Sequence, residues 1–375
     1  MKLEIETILK KYDVSQAQII VNQGDKEIFS LCYGEVRGEK ITLNHKFRIA
    51  SMSKMVIAVL VLKMVEEGVV ELEEDISTYL GFKLRNPYYL EEKITLKHLL
   101  SHSSSISDLG IYSSLIDYTL SEPDFSKFKN TSLEALFNHN VLALQENFYH
   151  ERPGTTFRYS NFAVGVMATA VEYVTGKLLG ELVKGYICDP LGIDGNFDTS
   201  KLRENSLILP LIRHLGEDKR ITRDGDRAKI IAHENREVGR ALYSEPAGGF
   251  RVSGGDFNKF LEMLAKSGEY QGTRVLSNSL LALMREPIEL DYPKEAYFDR
   301  SGLGLHITEN IMEGSVFGHT GDAYGFVGMA FYSTQKGYSF LMFINGGILR
   351  ADSPYLYTVE REIVDKISIL IKNHN

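Results

Sequence analysis

Tryptophan is missing from this chain, and only two cysteines occur, Cys32 and Cys188. Two thiols cannot build a disulfide framework, and with no Cys-x-x-Cys pair a redox or cysteine-metal motif is excluded as well. Each lies in an apolar stretch, so two separate buried thiols are expected rather than one bridge. A basic stripe is also lacking. The 42 Lys and Arg are scattered among 50 Asp and Glu, for a net charge of −8, which removes the electrostatic footprint of a nucleic-acid binder. No apolar run is long: the longest, Met55 to Leu62, is far too short to span a bilayer. The opening MKLEIETILKKYDVS interleaves Leu3, Ile5, Ile8 and Leu9 with acids and lysines. That is the pattern of an amphipathic helix, not of a signal peptide. A cytoplasmic protein is expected, or one whose leader has been removed. The large aromatic surfaces fall to 20 Tyr and 19 Phe.

What is present is ordinary globular material: 375 residues, 43% hydrophobic and 25% charged. At this length about two domains are expected, or one large domain with an insertion. Ala17–Val21 and Ile28–Gly34 read as strands joined by a turn at Asn22–Asp25. Ser51 to Glu67 reads as a helix stopped by Gly68, and because Met55–Leu62 is apolar on every side, that helix should run through the core. From about Glu74 to Ala241 helix and loop dominate, and the charged stretch Gly216–Asp226 reads as a surface loop. Strand character returns after Ser315, in Tyr324–Tyr332 and Tyr338–Asn345. Ser353-Pro354 then has the form of an N-cap and first residue of a last helix, with Leu356, Val359, Ile363, Ile367 and Leu370 on its buried face. The expected architecture is therefore an α/β domain made from residues 1–75 and 245–375. A mainly helical domain, 76–244, is inserted into it, with the active site between the two.

Three short motifs carry chemistry. Ser51-Met52-Ser53-Lys54 opens the buried helix and places a hydroxyl and an amine at i and i+3, on one face. A serine hydroxyl needs a base within reach, and a desolvated lysine gives up its proton readily enough to be one. The same pattern recurs at Ser126–Lys129 and Ser333–Lys336, but neither of those opens a buried helix. Tyr159-Ser160-Asn161 precedes the apolar run Phe162–Ala170; its phenol can relay protons and its amide can orient a carbonyl. His319-Thr320-Gly321 ends a strand-like piece, where a glycine would admit a substrate backbone. The competing His214-Leu215-Gly216 sits in the charged loop. Each motif taken alone has a plainer meaning: an N-cap serine, a packed tyrosine, a satisfied strand histidine.

In this order the three resemble the signature boxes of the serine β-lactamase and penicillin-binding-protein superfamily, in its class C-like branch. Further phrases agree: Phe47–Ser51, Ile94–His102, Pro246–Gly249, Gly302–Leu305 and Gly318–Gly321. The resemblance implies a β-lactamase/transpeptidase-like fold, an antiparallel sheet flanked by helices. It implies Ser51 as acyl-enzyme nucleophile, Lys54 as proton acceptor and Tyr159 as the group exchanging protons with the leaving group. Asn161 would contact the substrate amide, His319, Thr320 and Gly321 would line the substrate site, and the backbone N–H groups of Ser51 and Asp322 would form the oxyanion hole. No cofactor or metal is implied, and His98, His102 and Asp108, which could be read as metal ligands, fall inside a phrase where the histidines are structural. Two departures stand out. His319 replaces the lysine of class C β-lactamases, as in DD-peptidases, D-aminopeptidases and related esterases, and Ser105 stands where relatives commonly have glycine. The expected activity is hydrolysis of D-amino-acid peptides or amides, with esterase and then β-lactamase action as alternatives. A non-catalytic penicillin-binding-like sensor is the alternative of another kind. The expected partner is a small molecule or short peptide.

Overall fold

The computed structural model describes residues 1–110, 113, 132–138, 146–203, 208–216, 218–223, 237–239, 245–293, 298, 300–353 and 356–374. Helix α1 (Lys2–Lys11) leads into the hairpin of β1 (Gln16–Gln23) and β2 (Lys26–Val36), followed by β3 (Glu39–Lys40) and β4 (Lys46–Arg48). A 3-10 turn, Ala50–Met52, then runs into α2 (Ser53–Glu66), so Ser51 stands on the turn and the α-helix proper starts two residues later than the sequence suggests. Gly68 takes φ 69° just past the end of α2, the left-handed stop that glycine accepts without a steric cost.

The middle of the chain contributes α3 (Leu96–Leu100), α4 (Asn161–Thr175), β5 (Leu211–Leu215) and β6 (Asp218–Arg223). The last two correct the expected surface loop: they pair antiparallel, and Ile212 N donates to Asn345 Oδ1 at 2.9 Å, which ties this hairpin to the main sheet. Next come β7 (Arg251–Ser253), which pairs with β4, α5 (Gly254–Ala265), and the small pair β8 (Glu269–Tyr270) and β9 (Thr273–Arg274). The chain closes with β10 (Arg300–Ser301), β11 (His306–Thr308), β12 (Val316–Ala323), β13 (Phe326–Ser333), β14 (Tyr338–Asn345) and α6 (Thr358–Lys372). Helix α6 begins later than Ser353-Pro354 implies. Its N-cap is Tyr357, whose N–H is taken by Glu360 Oε2 at 3.0 Å, and Pro354 lies outside the described residues.

Eight of these strands form one sheet in the order β10-β11-β12-β13-β14-β1-β2-β3, antiparallel throughout. Every residue of β13 and β14 is buried, because both faces of the sheet are covered. Alternate side chains divide between two cores as the two-residue period of a strand requires. Phe326, Ala330, Leu341 and Phe343 pack with α2 and α5. Val327, Met329, Phe331, Met342 and Ile344 pack with α1 and α6 through Leu9, Val359, Ile363 and Ile367. Helix α2 is enclosed, with Met55 to Leu62 all essentially inaccessible. That burial stabilises the fold by on the order of 10 kcal/mol before the entropy of ordering is subtracted. Gly304 lets the neighbouring chain lie against it: a Cβ there would fall 2.4 Å from Ala58 Cβ. Both cysteines are free, Cys188 buried and Cys32 half-buried.

Candidate active site

The turn carrying Ser51 is entered through Ala50 at φ 47°, a left-handed conformation that costs a non-glycine residue ~1–2 kcal/mol. Ile49 N bonded to Phe250 O at 3.0 Å, and Ser53 Oγ bonded to Ala50 O at 2.6 Å and from Phe250 N at 3.1 Å, hold it there. One turn on, the buried Lys54 reaches three oxygens: Ser51 Oγ at 3.0 Å, Asn161 Oδ1 at 2.7 Å and Ala247 O at 2.7 Å. Two of these are carbonyl oxygens, which can only accept, so they fix two N–H bonds of the amine. The remaining tetrahedral position points at Ser51. It carries a proton toward the hydroxyl when Lys54 is charged and presents a lone pair to it when Lys54 is neutral. Burial, opposed by the Asp108 carboxylate, brings Lys54 down to about 7, so the neutral form is accessible near neutrality.

Asp108 organises the other side of the amine. It accepts from Ser160 Oγ, Asn161 N, Asn161 Nδ2 and Phe162 N, each at 2.9 Å, at the N-terminus of α4, where a carboxylate is favoured. Holding Nδ2 of Asn161 turns Oδ1 toward Lys54. Ser160 caps the same helix, its Oγ accepting from Ala163 N at 3.0 Å. His102, at φ 55°, accepts from Ser160 N through Nδ1 at 3.2 Å and packs on the Tyr159 ring with centroids 4.5 Å apart. The same ring also meets Lys54, whose Nζ lies 4.9 Å from its centroid. Asp108 and His102 thus act on α4 and Tyr159, and not as a metal pair with His98; among the described residues no group of three or more His, Cys, Asp or Glu could hold a metal.

The third motif lies within β12 rather than at its end. β11 pairs with it only from Val316 to Gly318, and His319 to Asp322 line a cavity of about 570 Å³ together with Ser51, Tyr159 and His306. Its outer wall, Tyr149, Phe157, Arg158, Leu356, Tyr357 and Glu360, was not legible as motifs. Gly321, which also lines the cavity, has a packing role besides the one expected. A Cβ at that position would stand 2.6 Å from Ile49 O and 3.3 Å from Ala50 Cβ, so glycine lets the strand lie against the Ser51 turn. His319 Nδ1 donates to Thr320 O at 2.6 Å, which leaves Nε2 an acceptor, buried and without a donor among the described residues. His319, brought down to about 3 by burial, and His102 and His306, pushed well below the usual histidine range by the same cause, are neutral. The competing motifs are elsewhere: His214 is on β5, Ser333 Oγ donates to Ser315 O at the start of the β13–β14 turn, and Ser126–Lys129 falls outside the described residues.

Comparison with known proteins gives the family and the fold. The sequence profile of the Beta-lactamase family matches residues 3–364. D-alanyl-D-alanine-carboxypeptidase/endopeptidase AmpH of Escherichia coli (strain K12) is 26% identical over 178 residues, 47% of this chain and 43% of that one. Protein flp of Staphylococcus aureus (strain N315) is 26% identical over 190 residues, 50% of this chain and 35% of that one. These alignments thus span less than half the length of the curated relatives. Among solved structures, the octameric penicillin-binding protein homologue from Pyrococcus abyssi superposes with a TM-score of 0.77 at 20% identity, covering 99% of this chain and 78% of that one. D-amino acid amidase from Ochrobactrum anthropi SV3, complexed with L-phenylalanine, does so with a TM-score of 0.73 at 20% identity, covering 99% and 98%; at this identity both likenesses speak for the fold. By its profile match and by its fold, the chain belongs to the Beta-lactamase family of serine hydrolases.

Proposed function

We propose that the chain hydrolyses amide or ester bonds through an acyl-enzyme on Ser51, with D-amino-acid amides and peptides as the leading substrate class. The observation that carries this is the Lys54 amine, held by two carbonyl oxygens so that its third position meets Ser51 Oγ at 3.0 Å. In the first half-reaction the Ser51 proton passes to neutral Lys54 as Oγ bonds to the substrate carbonyl carbon. The carbonyl oxygen gathers negative charge, for which the backbone N–H groups of Ser51 and Asp322 serve as donors. As the C–N or C–O bond breaks, the proton returns through Lys54 and Tyr159 to the leaving amine or alcohol. In the second, water gives a proton to Lys54, attacks the acyl carbon, and Ser51 leaves with that proton. We assign Asn161 to holding Lys54, with the second N–H of its amide for the substrate, and His319 and Thr320 to the substrate wall.

Neutral His319 refines the order of substrates. A lysine in this position would offer a cation to a substrate carboxylate, whereas a neutral imidazole offers none. That favours amidase, aminopeptidase or esterase action over carboxypeptidase or β-lactamase action. The test is mass spectrometry after incubation with a fluorophosphonate and, separately, a β-lactam, followed by a panel of D-alanine amides and peptides, nitrophenyl esters and nitrocefin with Ser51→Ala as control. An adduct on Ser51 and turnover abolished by the substitution are expected. No adduct with either reagent would overturn the reading in favour of a non-catalytic binding role.

A further inference from the structure

The catalytic cavity does not end at Ser51. Along β12, directly paired residues share a face of the sheet: His319 pairs with Ala330, on the α2 side, and Asp322 pairs with Val327, on the α1–α6 side. Because β11 stops pairing at Gly318, the cavity passes around the open edge of β12 and reaches both faces. On the far face it meets Asp322, Tyr357 and Glu360. Tyr357 donates its hydroxyl to Asp322 Oδ2 at 2.5 Å, which leaves the other carboxylate oxygen. Glu360 is 4% exposed; Oε2 accepts from Tyr357 N at 3.0 Å, and its other oxygen takes no hydrogen bond among the described residues.

Two carboxyl groups lining a cavity are costly to bury unless a cation meets them. Burial pushes Glu360 up to about 8, and the neighbouring Asp322 adds to the rise. Burial also raises Asp322, against the smaller opposing effects of the Tyr357 hydroxyl and Arg213 of β5. The guanidinium on the cavity's other wall, Arg158, is engaged by Glu151 through three contacts of 2.6 to 3.1 Å. At the strand edge itself the His319 Nε2 acceptor is buried and has no donor among the described residues. Glu360 and Asp322 are on two elements, yet both bring carboxyl groups to one cavity, which His319 also lines.

We propose that Asp322 and Glu360 form a subsite of the catalytic cavity that takes a primary ammonium group of the substrate. The inference rests on the reading of this cavity as the substrate site. The ammonium has two sources, the free α-amino group of an N-terminal residue or a basic side chain, and either supplies three donors to acceptors that lack them.

Calorimetric titration of the full chain carrying Ser51→Ala, which cannot turn the probes over, separates these sources. One matched pair is D-alaninamide against N-acetyl-D-alaninamide; the other is Nα-acetyl-D-lysinamide against Nα-acetyl-D-norleucinamide. The amine-bearing member of one pair is expected to bind about tenfold or more tightly than its neutral match, and that pair identifies the source. The preference should shrink in Glu360→Gln, which keeps an acceptor for Tyr357 N–H, and vanish when Asp322→Asn is added. Equal binding within both pairs would overturn the proposal, as would a preference that survives the combined substitutions. Fluorophosphonate labelling of the unsubstituted chain reports on Ser51 separately: no label with the amine preference intact would leave an ammonium-binding cavity and remove the hydrolase.

Discussion

Lys54 sets the pH dependence at the scale of single residues. Its proton must be off for it to accept one from Ser51, and burial brings it down to about 7. Turnover of a neutral chromogenic ester should therefore fall about tenfold per pH unit below that value and level off above it. A profile flat from acid to alkaline pH would contradict a lysine base. Asp108 sharpens the test, since its carboxylate supports the charged form of Lys54. In Asp108→Asn that support is lost, so the limb should move toward lower pH, whereas a residue that merely braced the loop would leave it in place. The same substitution puts N–H donors opposite the backbone of α4, so the maximal rate should drop as well, by on the order of 10²-fold. Nothing in the chain marks Asp108 for this task. It follows His102 by six residues, and only the approach of α4 gives it four donors.

At the scale of elements, the site depends on how closely β12 and the Ser51 turn approach. In Gly321→Ala the new methyl would meet Ile49 O and Ala50 Cβ, and either the strand or the turn must shift. A loss of stability of about 1–3 kcal/mol is expected. The fall in turnover should exceed what that loss accounts for at a temperature where the variant is folded, measured as kcat beside the denaturation midpoint. The loop after α3 behaves differently. Ser105 adopts φ 61°, a left-handed conformation that glycine takes without steric cost, and accepts a hydrogen bond from the buried Asn86 Nδ2 at 2.8 Å. Removing the hydroxyl in Ser105→Ala keeps the strained backbone and loses the bond, whereas Ser105→Gly loses the bond and relieves the backbone. The glycine variant should be the more stable of the two by about 1 kcal/mol in urea denaturation. The reverse order would mean that the loop is not held in this conformation.

The whole molecule is a sheet covered on both faces, and the second covering layer, α1 and α6, comes from opposite ends of the chain. Ile363 is completely buried in that layer. Its replacement by alanine should cost about 2–5 kcal/mol and lower the melting temperature. Because α6 also carries Glu360 into the cavity, such loosening should weaken amine binding before it affects Ser51 labelling. Identical losses of the two would argue that the cavity is one rigid unit.

Much of this was legible along the chain because it depends on local order. The aromatic and aliphatic runs of β13 and β14 and the all-round apolar surface of α2 reflect strands and a helix buried on every side. Ser51 and Lys54 are one turn apart, so their contact needs only a helix. The boundaries that failed were those where local signals conflict with distant ones. Ser353-Pro354 is a good helix start by composition, but α6 is capped at Tyr357 by Glu360. The charged stretch Gly216–Asp226 contributes β6 because β5 pairs with it and Asn345, at the end of β14, holds β5 through Ile212 N.

What the amino-acid order alone determined is most of the elements and the i,i+3 placement of Ser51 and Lys54, since periodicity and spacing act over a few residues. What only the tertiary structure decided is the direction of the Lys54 lone pair, the work of Asp108, the reason for Gly321 and the acidic end of the cavity. Each depends on residues tens to hundreds of positions apart meeting within a hydrogen bond's length. No local pattern encodes such a distance; it is set when the two cores close on the sheet.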